Sequence, residues 1–338
     1  YAVETKGNNP MLITVTPAEK NLTKVSIRFS VISGDKQFAE FFYKNVENNL
    51  TKKTTPDIVP VAAVPPIAAK KIYHGLCFGS YDNPAQAAGS PAQDEQLKTL
   101  LGRVAPYTEW LRTYSVTGGF EKVPEIARQY NPAIKIAAGA WLNEQTSKAA
   151  PLDNEEIKSL VSLAKAGKID IAIVGSEVTG NGVSADTLIN YIVYVKEQLK
   201  GLPVQVTSGL SWKEANDVRI VNACDVVLVH IYPCLVPVSV DAAVDNIKSS
   251  YVQLKNLYKG KDIIIGETGW PSEGGVYGPA VYDLASAVKY HTEMRKWAGA
   301  EGVRYFYFEA FDKPWKGSRE AKFGIWDGNR NPKAVMIQ

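Results

Sequence analysis

Residues 262–272 read DIIIGETGWPS. The run Ile263, Ile264, Ile265 is what a strand buried on both faces looks like. It leads directly into Gly266 and Glu267, and glutamate is among the residue types least often buried without a partner. Trp270 and Pro271 follow at once. A core strand that delivers a carboxylate at its C-terminal end raises the question of what surrounds it.

The chain around it is built in the same way. Strand-like segments open at Lys71 (KIYHGLCFG), Glu109 (EWLRTYS), Ile134 (IKIAAGAW), Ile169 (IDIAIVGSE) and Pro203 (PVQVTSG). DVVLVHIYP from Asp225, DIIIGETGW from Asp262 and VRYFYFEAFD from Val303 bring the series to eight. Amphipathic stretches lie between them, such as NEEIKSLVSLAKAG with Ile157, Leu160, Val161, Leu163 and Ala164 at helical spacing. VDAAVDNIKSSYVQLKNLY and YDLASAVKYHTEMRKWAG repeat that pattern. Strands alternating with helices predict an α/β fold with parallel strands. Eight units over about 250 residues match a (β/α)8 TIM barrel in count and length. A doubly wound sheet would carry a glycine-rich phosphate turn after its first strand, and GLCFGSYDN has no GxGxxG spacing.

Residues 1–69 read differently. KVSIRFSV (Lys24–Val31) alternates apolar and polar residues, and MLITVTP before it reads as a second strand. TPDIVPVAAVPP (Thr55–Pro66) carries four prolines in twelve residues, a spacer unable to form a helix or central strand. A small β-rich accessory region with a proline-rich linker is therefore expected over 1–69, and the barrel over 70–338. Residues 1–69 hold no tryptophan.

Composition narrows the function. With 45% hydrophobic and 22% charged residues the chain reads as an ordinary globular protein, and a net charge of +3 gives no reason to expect nucleic acid or an anionic membrane as partner. No apolar run approaches 18 residues, so no membrane span is expected. The histidines (His74, His230, His291) and the cysteines (Cys77, Cys224, Cys234) have no zinc spacing, so neither a metal nor another cofactor is expected. The cysteines read as small buried apolar residues, with Cys224 and Cys234 the one pair that could bridge. Asn21 and Asn49 each begin an NLT triplet. Tyr1 stands first in place of Met, and removal of an upstream segment is expected.

In a (β/α)8 barrel the active site lies at the C-terminal ends of the strands. Those positions here hold Arg112 and Tyr114, Trp141 and Asn143, Ser176 and Glu177, His230 and Tyr232, Glu267 and Trp270, and Glu309. One acidic residue at a strand end can be a helix cap, but three glutamates with an arginine and aromatics on one rim form an active-site inventory. Two carboxylates across an aromatic-lined cleft are the equipment for cleaving a glycosidic bond, one protonated and one ionised. Trp and Tyr faces suit the C–H faces of sugar rings.

IVGSE and IIIGETGWPSEGG resemble the two catalytic glutamate motifs of glycoside hydrolase family 17, and GLCFGSY, WLRTYS, VHIYP and YFYFEAFDKPWKG are similar in order and spacing. The resemblance covers residues 71–338 and is nearest to microbial β-1,3-glucanases and β-1,3-glucanosyltransferases. It implies a retaining mechanism on β-1,3-glucan, with Glu177 as acid/base and Glu267 as nucleophile. Tyr232 is expected to hold Glu267, Arg112 and Tyr114 to support the base of the site, and Glu309 and Lys316 to pair as a polar wall. Trp315 and Tyr81 are expected as sugar platforms, with Trp141, Asn143, Ser176 and Trp270 also at the substrate. The partner is then a β-glucan oligo- or polysaccharide, the protein a monomer, and its place outside the cell, in the wall or periplasm. A glucan-binding protein with a degenerate site, or an enzyme of mixed β-1,3-1,4-glucan, are the competing readings.

One position departs from the family. An Asn is expected before the acid/base glutamate, to bond the substrate 2-hydroxyl, and Ser176 stands there. The shorter side chain weakens that contact or passes it to a water or to Asn143. Replacing Ser176 with Asn should raise kcat/KM on β-1,3-glucan, and an unchanged value would remove the support for a weakened contact.

Overall fold

The isoleucine run is the seventh strand of a closed eight-stranded parallel barrel. The structure is a computed structural model that describes residues 11–18, 22–29, 73–79, 90–317 and 319–334. Tyr81, Asn21 and Asn49 lie outside the described residues. By its contacts the chain divides into two units, Tyr1–Pro65 and Pro66–Gln338. In the first, β1 (Met11–Ala18) and β2 (Leu22–Phe29) pair antiparallel from Met11 opposite Phe29 to Ala18 opposite Leu22.

In the second unit the barrel runs through β3 (Tyr73–Cys77), β4 (Thr108–Arg112), β5 (Lys135–Ala140), β6 (Ile171–Ser176), β7 (Gln205–Leu210), β8 (Val227–His230) and β9 (Ile263–Thr268). A hairpin, β10 (Glu273–Tyr277) and β11 (Ala280–Asp283), intervenes before β12 (Tyr305–Tyr307) closes the barrel against β3. Helices α1 (Asp94–Val104), α2 (Val123–Tyr130), α3 (Glu155–Lys165), α4 (Ala185–Gln198), α5 (Val218–Ala223), α6 (Val240–Leu257) and α7 (Leu284–Glu301) connect successive barrel strands. Helix starts follow the sequence: the Asn154, Ser184 and Asp283 side chains accept N–H bonds from the first turns of α3, α4 and α7. All three cysteines are buried with free thiols.

Strand alternation sorts the core into two layers. Ile263 and Ile265 pack outward with the helices, while Ile264 joins Cys77, Ala137, Ile171, Ile173, Val226, Leu228 and Phe306 in a separate cluster that fills the barrel. This explains three isoleucines in succession, since both faces of β9 need apolar cover. Gly75 permits the closure of the ring, because a Cβ there would stand 2.5 Å from the Phe306 ring on β12.

The alternation is broken at two strand ends, and the breaks aim the polar residues. Along β9 the register with β8 jumps from Val229 opposite Ile265 to His230 opposite Glu267, leaving Gly266 as the extra residue. His230 follows inward Leu228 and outward Val229, so its partner Glu267 also points into the barrel mouth. On β6 the register with β7 jumps likewise between Ile173 and Ser176, bringing Ser176 opposite Gly209. Without these bulges Ser176 and Glu267 would face the helices.

Ile264→Ala, in the barrel filling, should cost about 2–5 kcal/mol of stability through lost burial and a residual cavity. Urea denaturation should show a lowered midpoint.

Candidate active site

At the bottom of the barrel mouth lies Arg112, the last residue of β4, with no solvent exposure. Its Nη1 donates to the Gly266 carbonyl at 2.6 Å and stands 2.9 Å from His230 Nε2 and 3.1 Å from Glu267 Oε1. Nη2 donates to Ser176 Oγ at 3.1 Å. Two glycines make room for it. A Cβ on Gly209 would sit 2.7 Å from Nη2, and one on Gly266 would sit 3.2 Å from Nη1. Burial opposes the charge, but the surrounding Tyr114 and Glu267 raise the guanidinium pKa and keep it protonated.

Glu267 sits above this charge with both oxygens engaged. Tyr114 Oη donates to Oε1 at 2.8 Å, and Tyr232 Oη donates to Oε2 at 2.6 Å. Burial pushes the Glu267 carboxyl up, yet the Arg112 guanidinium and the two hydroxyls outweigh it and hold the group below the usual carboxylate range. Glu267 is thereby an ionised carboxylate fixed at each oxygen.

Glu177 occupies a different environment. It follows β6 in a left-handed conformation, with φ 51° and ψ 36°, just after Gly175 at φ 71°. Such a conformation costs a non-glycine residue on the order of 1–3 kcal/mol. Here it turns the side chain off the strand end into the cleft, where it remains 46% exposed. Glu177 Oε1 lies 2.6 Å from His230 Nδ1, while His230 Nε2 lies 3.5 Å from Glu267 Oε1. One imidazole therefore contacts both carboxylates from opposite ring nitrogens.

The surrounding cleft has a volume of about 800 Å³. Glu177, Glu267, Tyr114, Ser176, Tyr232, Trp141, Trp315 and Lys316 all line it, as the sequence suggested. Trp141 is 44% exposed, which leaves a ring face free for a ligand. Arg112 lies at the base of the site, fully buried beneath the carboxylates, where it was expected. Several other expectations are corrected. Trp270 is 1% exposed, donates its indole N–H to the Val281 carbonyl and packs on Tyr282 and Tyr290, so it neither touches the cleft nor walls it. Asn143 lines an adjoining recess instead, and its side-chain oxygen accepts the Thr146 N–H. Glu309 is buried and pairs with Lys313, not Lys316. Burial pushes its carboxyl up against the opposing pull of Lys313 and Lys316.

Two cleft residues were missed as participants. His230 stood in the rim sequence but carried no role, since only the folded barrel brings both carboxylates to it. Lys313 lines the cleft although its residue is 4% exposed. A lysine in a polar motif gives no sequence signal of burial; its i,i+4 spacing from Glu309 was the one available hint.

Comparisons with known proteins bear on the family and the fold. The model of the BtgE/BtgC glycoside hydrolase domain matches residues 75–326. A probable glucan endo-1,3-beta-glucosidase, btgC, of Aspergillus fumigatus is 33% identical over 238 residues, covering 59% of this chain and 33% of that protein. This chain thus spans about a third of that relative's length. The glucan 1,3-beta-glucosidase of Schizosaccharomyces pombe is 28% identical over 251 residues, covering 68% of this chain and 77% of the relative. In structure the chain is similar to the glycoside hydrolase family 17 beta-1,3-glucanosyltransferase of Rhizomucor miehei. That match has a TM-score of 0.68 and 25% identity, over 79% of this chain and 97% of that one. An active-site mutant of the same transferase is known in complex with laminaritriose.

Tyr232→Phe removes one donor from the Glu267 carboxylate. A hydrogen bond donated to a charged group is among the stronger ones, so its loss should raise the Glu267 pKa. The donor favours the ionised form, so its loss should move the acidic limb of the kcat/KM profile to higher pH.

Proposed function

This chain belongs to the BtgE/BtgC glycoside hydrolase family, and we propose that it cleaves β-1,3-glucan with retention, through a covalent glycosyl-enzyme on Glu267. The observation that carries this reading is the contrast between the two carboxylates. Glu267 is buried, ionised and gripped at both oxygens, whereas Glu177 stands half-exposed in the same cleft. Environments that differ in this way suit one carboxylate to attack and the other to move protons. The glucan-related names of the relatives and the laminaritriose complex support the substrate.

In the first step a Glu267 oxygen forms a bond to the anomeric carbon as the glycosidic C–O bond breaks. Glu177 gives its proton to the leaving oxygen. In the second step Glu177, now ionised, takes a proton from an incoming hydroxyl, whose oxygen bonds to the anomeric carbon and releases Glu267. Water yields hydrolysis; a sugar hydroxyl yields transfer. Trp141 and Trp315 offer aromatic faces to sugar rings along the cleft, and Ser176, whose oxygen accepts from Arg112, keeps its own O–H to donate to a sugar hydroxyl. Transfer is favoured by the aromatic Trp315 and the adjoining Tyr232–Phe308–Phe323 cluster. Action outside the cell, at the wall, follows from where such a polymer resides, and residues 1–69 serve as an accessory region.

Glu177→Ala should lower kcat/KM on laminari-oligosaccharides roughly 10²–10⁴-fold, the usual contribution of general acid–base catalysis. On 2,4-dinitrophenyl β-laminaribioside, whose leaving group needs no proton, azide should restore turnover by Glu177→Ala with a β-glycosyl azide product, and by Glu267→Ala with an α-glycosyl azide. The opposite pairing would exchange the two roles, and binding without turnover by the unsubstituted protein would make it a glucan binder. Products longer than the substrate mark transfer.

A further inference from the structure

We propose that His230 is a positioning residue that decides which oxygen of Glu177 carries the acidic proton. The inference rests on the reading of Glu177 as acid/base. His230 is 2% exposed at its side chain, and its surroundings come from four strands. Arg112 of β4 and Glu267 of β9 face Nε2, Glu177 at the end of β6 faces Nδ1, and Gly209 of β7 leaves no room beside the ring. A Cβ on Gly209 would already lie 3.1 Å from Nε2.

The tautomer follows from donor capacity. A guanidinium has only N–H donors, so at 2.9 Å from Arg112 Nη1 the His230 Nε2 must accept. The neutral ring then carries its hydrogen on Nδ1, and that hydrogen points at Glu177 Oε1, 2.6 Å away. An Oε1 that already accepts a hydrogen bond is a poor place for the acidic proton, which is left to Oε2. Among the described residues Oε2 has no hydrogen-bond partner, so its proton is available to a leaving oxygen in the cleft. After the proton departs, the same Nδ1–H stabilises the carboxylate that must act as base. Arg112 thus acts on Glu177 through the ring as well as on Glu267 directly.

The two ring nitrogens can be separated by substitution. His230→Gln places an amide near the Nε2 position and loses the donor to Glu177. His230→Asn keeps an amide N–H near Nδ1 and loses the Arg112 contact. Each variant of the full chain is assayed for kcat/KM on laminaritetraose and on 2,4-dinitrophenyl β-laminaribioside, whose leaving group needs no proton. His230→Gln should fall roughly 10²-fold on the oligosaccharide and less than about threefold on the aryl glycoside, because only the first demands an oriented acid. His230→Asn should lose clearly less on the oligosaccharide than His230→Gln. Equal losses on both substrates in His230→Gln, or a loss on the oligosaccharide in His230→Asn as large as in His230→Gln, would show a structural role and overturn the proposal. An unsubstituted protein inactive on both substrates would overturn the glycosidase reading itself, and this inference with it.

Discussion

A guanidinium buried without access to water holds the mouth of this barrel together. Taking such a charge out of solvent costs several kcal/mol and is tolerated only where partners surround it. Arg112 meets this requirement by contacting three other strands at once. It reaches Ser176 on β6, His230 on β8, and Glu267 with the Gly266 carbonyl on β9. Its planar fork suits that task better than a lysine, which offers a single point of charge. Gly209 and Gly266 are glycine for a related reason, since either Cβ would press on the guanidinium.

The chemistry of the site descends from this charge. Arg112 helps keep Glu267 ionised despite its burial, and Tyr114 and Tyr232 fix the orientation of the carboxylate. Glu177 is reached only indirectly, through the His230 ring. Two glutamates of identical chemistry thereby acquire different surroundings within one cleft. On the proposed mechanism that difference is the basis of catalysis, because one group must attack while the other delivers a proton.

The barrel and its rim were legible because they depend on local pattern. Eight apolar strand segments alternating with amphipathic ones announce the architecture, and strand ends are where such a barrel places its polar side chains. The family was legible in GETGWPS and FEAFDKPWK, and the family match to residues 75–326 upholds it. Side-chain direction was not legible. Trp270 sits three residues after Glu267, yet it turns into the layer formed with Tyr282 and Tyr290. Glu309 had two lysines within reach along the chain, and only the fold selects Lys313 over Lys316. Asn143 follows Trp141 closely but falls into the adjoining recess.

By itself the sequence determined the order of strands and helices, the residues that end each strand and the chemical kinds gathered on one rim. These follow from periodicity and burial, which act between near neighbours along the chain. Tertiary structure alone decided which rim residues meet. One extra residue at Gly266 reverses the phase of β9, so that Glu267 points into the mouth while Ile265, two residues earlier, faces the helices. Glu267 and Glu177 then share one histidine, and one arginine lies beneath both, because ring closure brings β4, β6, β8 and β9 to a common axis. Contacts between residues far apart in the chain depend on register and closure, which no local stretch encodes.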